Sequence, residues 1–302
     1  MQKFLVNVFP GMANIPIIAA RETGLFQREG LDVVMTGTPS SLAQRAALMD
    51  GTADIAHAAF DDVVAGEEDA GTDFVTVLGG DGGFQSLYAR ADIRSAADLR
   101  GQVVAVDDPR TAYALVLRAA LRRAGVTEAH YEMRPVGSTA MRYEALCADP
   151  SIAACMLAPP FSVQAEERGW HSLGSAGELL GAYQGTVAFC RRAWLARNRD
   201  VLVRYLRGYL AGLDWALDPS HRDRLADWVA RALNVPAAIA RLSCDQAIDA
   251  GGGLVAGATL DEAGLRTVLE LRASILGWRQ GKAPLAARYI DLSAADDARR
   301  PT

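Results

Sequence analysis

The sequence has no run of about 18 apolar residues, no CxxC or Cys/His ligand spacing, no block of like charge and little lysine. The first absence excludes a membrane-spanning helix. The second makes a thiolate or imidazole metal centre a poor expectation, so no metal and no cofactor is expected. Its four cysteines, Cys147, Cys155, Cys190 and Cys244, stand far apart and read as singly buried or partly buried thiols. A Cys147–Cys155 bridge is the short-range pairing the spacing leaves open. The lack of basic runs, with a net charge of −5, argues against nucleic acid and against an anionic membrane surface. No nucleophile elbow, HExxH or paired-carboxylate motif stands out. The glycine run GGDGG at 79–83 lacks the strand-to-helix context of a phosphate loop and reads as a backbone device.

What is present is a chain of 302 residues, half of them hydrophobic, with room for two lobes. Apolar strand patterns alternate with amphipathic helix patterns through the first two-thirds. Strands are expected at 3–9, 31–35, 54–58, 74–78, 103–106, 131–135 and 152–157. Helices are expected at 15–23, from Pro39 onward, at 112–124 and at 162–168. Pro39 suits a first helical turn, where its missing N–H costs nothing. After Thr186 the texture becomes helical, with Leu202, Leu206, Tyr209 and Leu213 on one stripe of a helix over 194–217. Further helices are expected at 221–233, 236–248 and 261–277. With no low-complexity linker, the chain is expected to cross between lobes near 88–90 and 185–189.

The order of several segments carries a family pattern. These are AARETGLFQREGLDVV (19–34), GTADIAHAAF (51–60), DLRGQVVAVDDPRTAYALVLRAALRRAGV (98–126) and SIAACMLAPPFSVQAEERGW (151–170). Together they resemble the solute-binding proteins of nitrate, sulfonate, taurine and pyrimidine-precursor ABC importers, from the N-terminus to about Leu217. The resemblance implies an α/β, two-lobed, type II periplasmic-binding-protein fold with a helical C-terminal extension on the first lobe. Lobe I would hold 1–89 and 187–302, and lobe II 90–186. It also implies a ligand cleft closed by hinge bending. Two departures stand out. No leader or lipobox cysteine is visible, and the loop at 107–110 is Asp-Asp-Pro-Arg where the family commonly has small residues.

Ligands of open α/β sheets sit beyond the carboxyl ends of strands, where loops feed helix N-termini. Four such joints supply candidates. At the first, Thr38, Ser40 and Ser41 either bind ligand oxygens or cap their own helix. At the second, Phe60 can stack on a flat ligand, and Asp61 can accept from an amine or cap the next helix. Beside them His57 reads as a packed or surface residue rather than a catalyst. At the third are Asp108, Arg110, Thr111 and Tyr113, with Arg110 holding a carboxylate or sulfonate, or pairing locally with an aspartate. The fourth offers Phe161 as an apolar wall. Asn14, near the first strand end, and Phe84 and Gln184, near the crossings, complete the set. Asp61, Asp81 and Asp108 form an acidic rim with Phe60, Phe84 and Tyr113. That rim suggests a polar, nitrogen-bearing or aromatic solute rather than a bare dianion.

The expected function is the substrate-binding component of an ABC-type importer, a non-catalytic monomer. It would take a small-molecule ligand (sulfonate, carboxylate or nitrogen heterocycle) and, if exported, a permease partner. Two alternatives remain open. One is a cytoplasmic enzyme on the same fold, like the pyrimidine-precursor synthases or the menaquinone-pathway enzymes, and the other is a ligand sensor. A periplasmic location is expected if a leader was removed, and a cytoplasmic one if Met1 is native.

Overall fold

The computed structural model describes residues 1–249, 253–277 and 286–300. The chain opens with β1 (Gln2–Val8), whose Phe4, Val6 and Val8 are buried, followed by α1 (Ile15–Glu22) and the single-turn α2 (Leu25–Arg28). Next come β2 (Leu31–Gly37), α3 (Ser41–Asp50), β3 (Ile55–Ala59), α4 (Phe60–Ala70) and β4 (Phe74–Leu78). The second unit runs through β5 (Ser86–Ala89), β6 (Val103–Val106), α5 (Ala112–Arg123), β7 (Glu132–Pro135), α6 (Thr139–Ala148) and β8 (Ile152–Leu157). It ends with α7 (Phe161–Glu167), β9 (His171–Ser175) and α8 (Ala176–Leu180). Then β10 (Thr186–Arg191) leads to α9 (Arg192–Leu217), α10 (Arg222–Leu233), α11 (Ala237–Asp249), α12 (Glu262–Leu276) and α13 (Ser293–Arg299).

The strands form two five-stranded sheets, ordered β2-β1-β3-β10-β4 and β7-β6-β8-β5-β9. Each sheet carries one inner antiparallel strand, β10 in the first and β5 in the second. The segments near 88–90 and 185–189, expected to bridge the lobes, therefore lie mostly inside sheets. Their apolar residues Leu87, Tyr88, Ala89, Val187, Ala188 and Phe189 are all buried, which favours pairing within a sheet over an exposed bridge. The passages between sheets run instead through 79–85 and 181–185, and they lie against each other backbone to backbone. Gly185 N donates to Asp81 O at 3.0 Å, and Asp81 N to Thr186 O at 3.4 Å. A Cβ on Gly185 would fall 2.0 Å from Asp81 Oδ1, and one on Gly80 would fall 2.7 Å from Thr186 O. The glycine run is there because the two passages approach too closely for side chains.

The stripe Leu202, Leu206, Tyr209 and Leu213 is buried as the periodicity predicts, and α9 packs along α1. Helices α10 and α13 also stay with the first lobe, on α1 and on α9 and β4, whereas α12 touches both α4 and α5, and α11 touches α7. One apolar core accordingly runs through both lobes, joining Phe60 and Val63 to Leu87, Val104 and Leu115 by way of Leu265 and Leu269. All four cysteines are free, with Cys147 exposed and the other three buried. Among the described residues no helix is long and apolar enough to cross a membrane.

Candidate functional site: the interlobe cleft

A cavity of about 100 Å³ lies between the lobes, at the carboxyl ends of β1, β3, β6 and β8. The first lobe contributes the turn after β1 (Phe9 through Asn14), Ser41, the end of β3 (His57, Ala58, Ala59) and Asp62. Asp81, Phe84, Gln85 and Thr186 line it at or beside the interlobe passages. The second lobe adds Asp107, the N-terminal turn of α5 (Thr111 through Ala114), Thr139, Arg142, Met156, Pro159 and Phe161. The lobes touch across this cleft. Ser41 Oγ donates to Asp107 Oδ2 at 3.1 Å, and Ser138 N donates to Pro39 O at 3.1 Å.

Of the residues singled out from sequence, Asn14, Ser41, Asp81, Phe84, Thr111, Tyr113 and Phe161 come together on this cavity. Asn14 Nδ2 donates to Phe9 O at 2.8 Å and so braces the β1 turn. Tyr113 packs on Tyr183 with ring centres 5.9 Å apart, and Phe161 on Tyr143 at 5.6 Å. The remaining candidates lie elsewhere. Ser40 is the N-cap of α3, its Oγ accepting from Ala43 N, and Thr38 Oγ1 donates to Ser40 O. Phe60 is fully buried, edge-on to Tyr289. Asp61 forms a buried ion pair with Arg272 at 3.0 Å. Asp108 Oδ1 accepts from Arg110 N at 3.0 Å in a local turn, and the Arg110 side chain is exposed and pairs with Asp69 at 3.5 Å. Gln184 is buried and braces the passages, donating to Asp81 O and accepting from Asp261 N.

The cleft is acidic. Burial, then the nearby Asp61 and Asp107 charges, push the Asp62 carboxyl up to about 7, with the Ser41 hydroxyl and Arg45 acting the other way. Burial also raises Asp107 and Asp81. Asp81 Oδ1 accepts from Gly83 N at 2.8 Å and Thr186 N at 3.1 Å, whereas Oδ2 has no hydrogen-bond partner. His57 is buried, its Nε2 lies 2.8 Å from Tyr205 OH, and burial takes it down to about 3, so the ring is neutral at pH 7. Arg142 is the guanidinium on the cleft wall, but its donors are directed inward. Nη1 bonds Gly137 O at 2.7 Å, and Nε and Nη2 bond Met156 O at 3.3 and 3.2 Å. Nη2 also reaches Thr139 Oγ1 and Gln85 Oε1. These bonds account for all but one Nη1 hydrogen. Among the described residues no cluster of acids, histidines and cysteines is arranged to hold a metal ion.

Sequence reasoning passed over Asp62, Asp107 and Arg142. The first two had visible signals, because each stands beside a residue that was chosen. Adjacent residues on a helix point about 100° apart, so choosing between Asp61 and Asp62 requires the packed orientation of α4. Arg142 sits four residues into the joint that begins at Ser138, and only its burial (5% exposed) shows that it faces inward.

This topology and cleft define a two-lobed α/β protein of the type II periplasmic-binding-protein fold. The chain belongs to the NMT1/THI5-like family, which matches residues 12–221. Among curated proteins none matches it. Among solved structures it is similar to the ligand-binding component of an ABC-type import system from Staphylococcus aureus, with zinc bound. That match has 14% identity, 100% of each chain covered and a TM-score of 0.82. It is also similar to the alkanesulfonate-binding protein SsuA of Xanthomonas axonopodis bound to MOPS, at 15% identity, 96% of this chain and 98% of that one covered, and a TM-score of 0.78. The periplasmic nitrate-binding protein NrtA of Synechocystis matches at 14% identity, 99% and 88% coverage and a TM-score of 0.82. At these identities the likeness speaks to the fold.

Proposed function

We propose that this protein is the solute-binding component of an ABC-type importer. It captures a small nitrogen-bearing ring compound in the interlobe cleft and delivers it to a permease outside the cytoplasmic membrane. Family membership supports the receptor role. The solute class rests on one observation: Asp62, Asp81 and Asp107 line the cleft, while Arg142 directs nearly all its donors to backbone and side-chain oxygens of its own surroundings. A carboxylate-lined cavity repels nitrate or a sulfonate and rewards N–H donors. The aromatic rings of Phe9, Phe84, Tyr113 and Phe161 favour a flat solute. Calorimetric titration with 4-aminopyrimidine, nitrate and ethanesulfonate tests this reading. Binding of the heterocycle alone is expected. Binding of nitrate or ethanesulfonate without the heterocycle would contradict the solute class.

A further inference from the structure

Asp62 and Asp107 belong to different lobes, yet they line one cavity together with Ser41. Ser41 Oγ donates to Asp107 Oδ2 at 3.1 Å, and the same hydroxyl lowers the Asp62 carboxyl. Among the described residues neither forms an ion pair. The other charges around them are already engaged or stand off. Asp61 pairs with Arg272 yet its charge still raises Asp62, and Arg142 is hydrogen-bonded to carbonyls while its charge lowers Asp107 without pairing with it. Arg45, one turn along α3 from Ser41, acts on Asp62 through space without pairing with it. Asp108 is held in its own turn. A second, independent feature points the same way. Asp81, 1% exposed, lines the same cavity, and its Oδ2 has no partner. A buried carboxylate oxygen without a donor is costly, and a ligand N–H removes that cost.

We propose that the cleft is built for a monocationic solute, a protonated amine or an amidinium, whose charged nitrogen bridges Asp62 of one lobe and Asp107 of the other. The proposal rests on the reading of the cleft as a solute site and adds the charge of the solute and the residues that sense it. Because the two carboxylates meet only when the lobes are together, the cation is what makes closure favourable. A neutral solute of the same shape leaves two like charges facing across the lobe boundary.

The test is calorimetric titration of the full chain at pH 8 with three probes: benzamidinium, neutral benzamide of nearly the same shape, and benzenesulfonate. Benzamidinium is expected to bind at least tenfold tighter than benzamide. Asp62→Asn and Asp107→Asn, each isosteric and checked for folding by circular dichroism, are expected to reduce that preference to within about twofold. Equal affinity for benzamidinium and benzamide overturns the proposal, as does a preference that survives both substitutions. Tighter binding of benzenesulfonate also overturns it while leaving the cleft a solute site. Binding of none of the three at millimolar concentration overturns both readings.

Discussion

Asp62 sits in the first turn of α4, where the helix N-terminus favours a negative charge, while burial and the charges of Asp61 and Asp107 oppose it. The opposing effects win and hold its carboxyl at about 7, against an ordinary 3.8. A carboxyl raised in the folded state contributes stability while protonated. That contribution is complete below about pH 4 and is lost as the pH rises through about 7. The melting temperature of the ligand-free protein, relative to that of Asp62→Asn, should therefore fall between those two values. A pH-independent difference would contradict the placement of Asp62. At the same scale, Gly185→Ala should cost about 1–3 kcal/mol, read from the urea midpoint, because its Cβ would collide with Asp81 and Gly83. Single residues were where the sequence was least legible. It pointed to the loops holding Asp61–Asp62 and Asp107–Asp108, but not to the member of each pair that turns toward the cleft.

Elements were far more legible. Strands β6 and β8 and helix α5 stand where apolar runs and helical periodicity put them, because both signals are local. β9 and α8 had no such signal, since HSLGSAGELL is short, polar and glycine-interrupted. The contacts of α12 were also hidden. Its Arg272 bonds both oxygens of Asp61, which lies 211 positions earlier in the chain, and pairs with Asp69 as well. Arg272 and Asp61 are 3% and 2% exposed, so removing one partner strands a buried charge. Arg272→Met should destabilise the protein by about 3–5 kcal/mol in urea unfolding. Adding Asp61→Leu to that variant should restore much of the loss. A loss that persists in full in the double variant would show that Arg272 acts through packing on α5 rather than through the ion pair.

At the scale of the whole molecule, two lobes are joined by two glycine-lined passages and touch across the cleft. Besides the apolar bridge through α12, polar contacts cross the cleft, among them Ser41 with Asp107, Pro39 with Ser138 and Asp69 with Arg110. Polar contacts of that kind are worth little, so these three by themselves oppose opening only weakly. The alternation of strands and helices announced two lobes, and the family pattern announced their arrangement. The crossings are legible only to within a few residues, at 88–90 and 185–189 beside the observed 79–85 and 181–185, because β5 and β10 look extended in sequence whether they bridge lobes or lie within a sheet. The proposed receptor works by capturing a solute through closure of these lobes. Small-angle scattering with and without a saturating ligand tests it most directly. A smaller radius of gyration is expected with ligand bound. An unchanged radius at full occupancy would mean a rigid pocket and would contradict capture by closure.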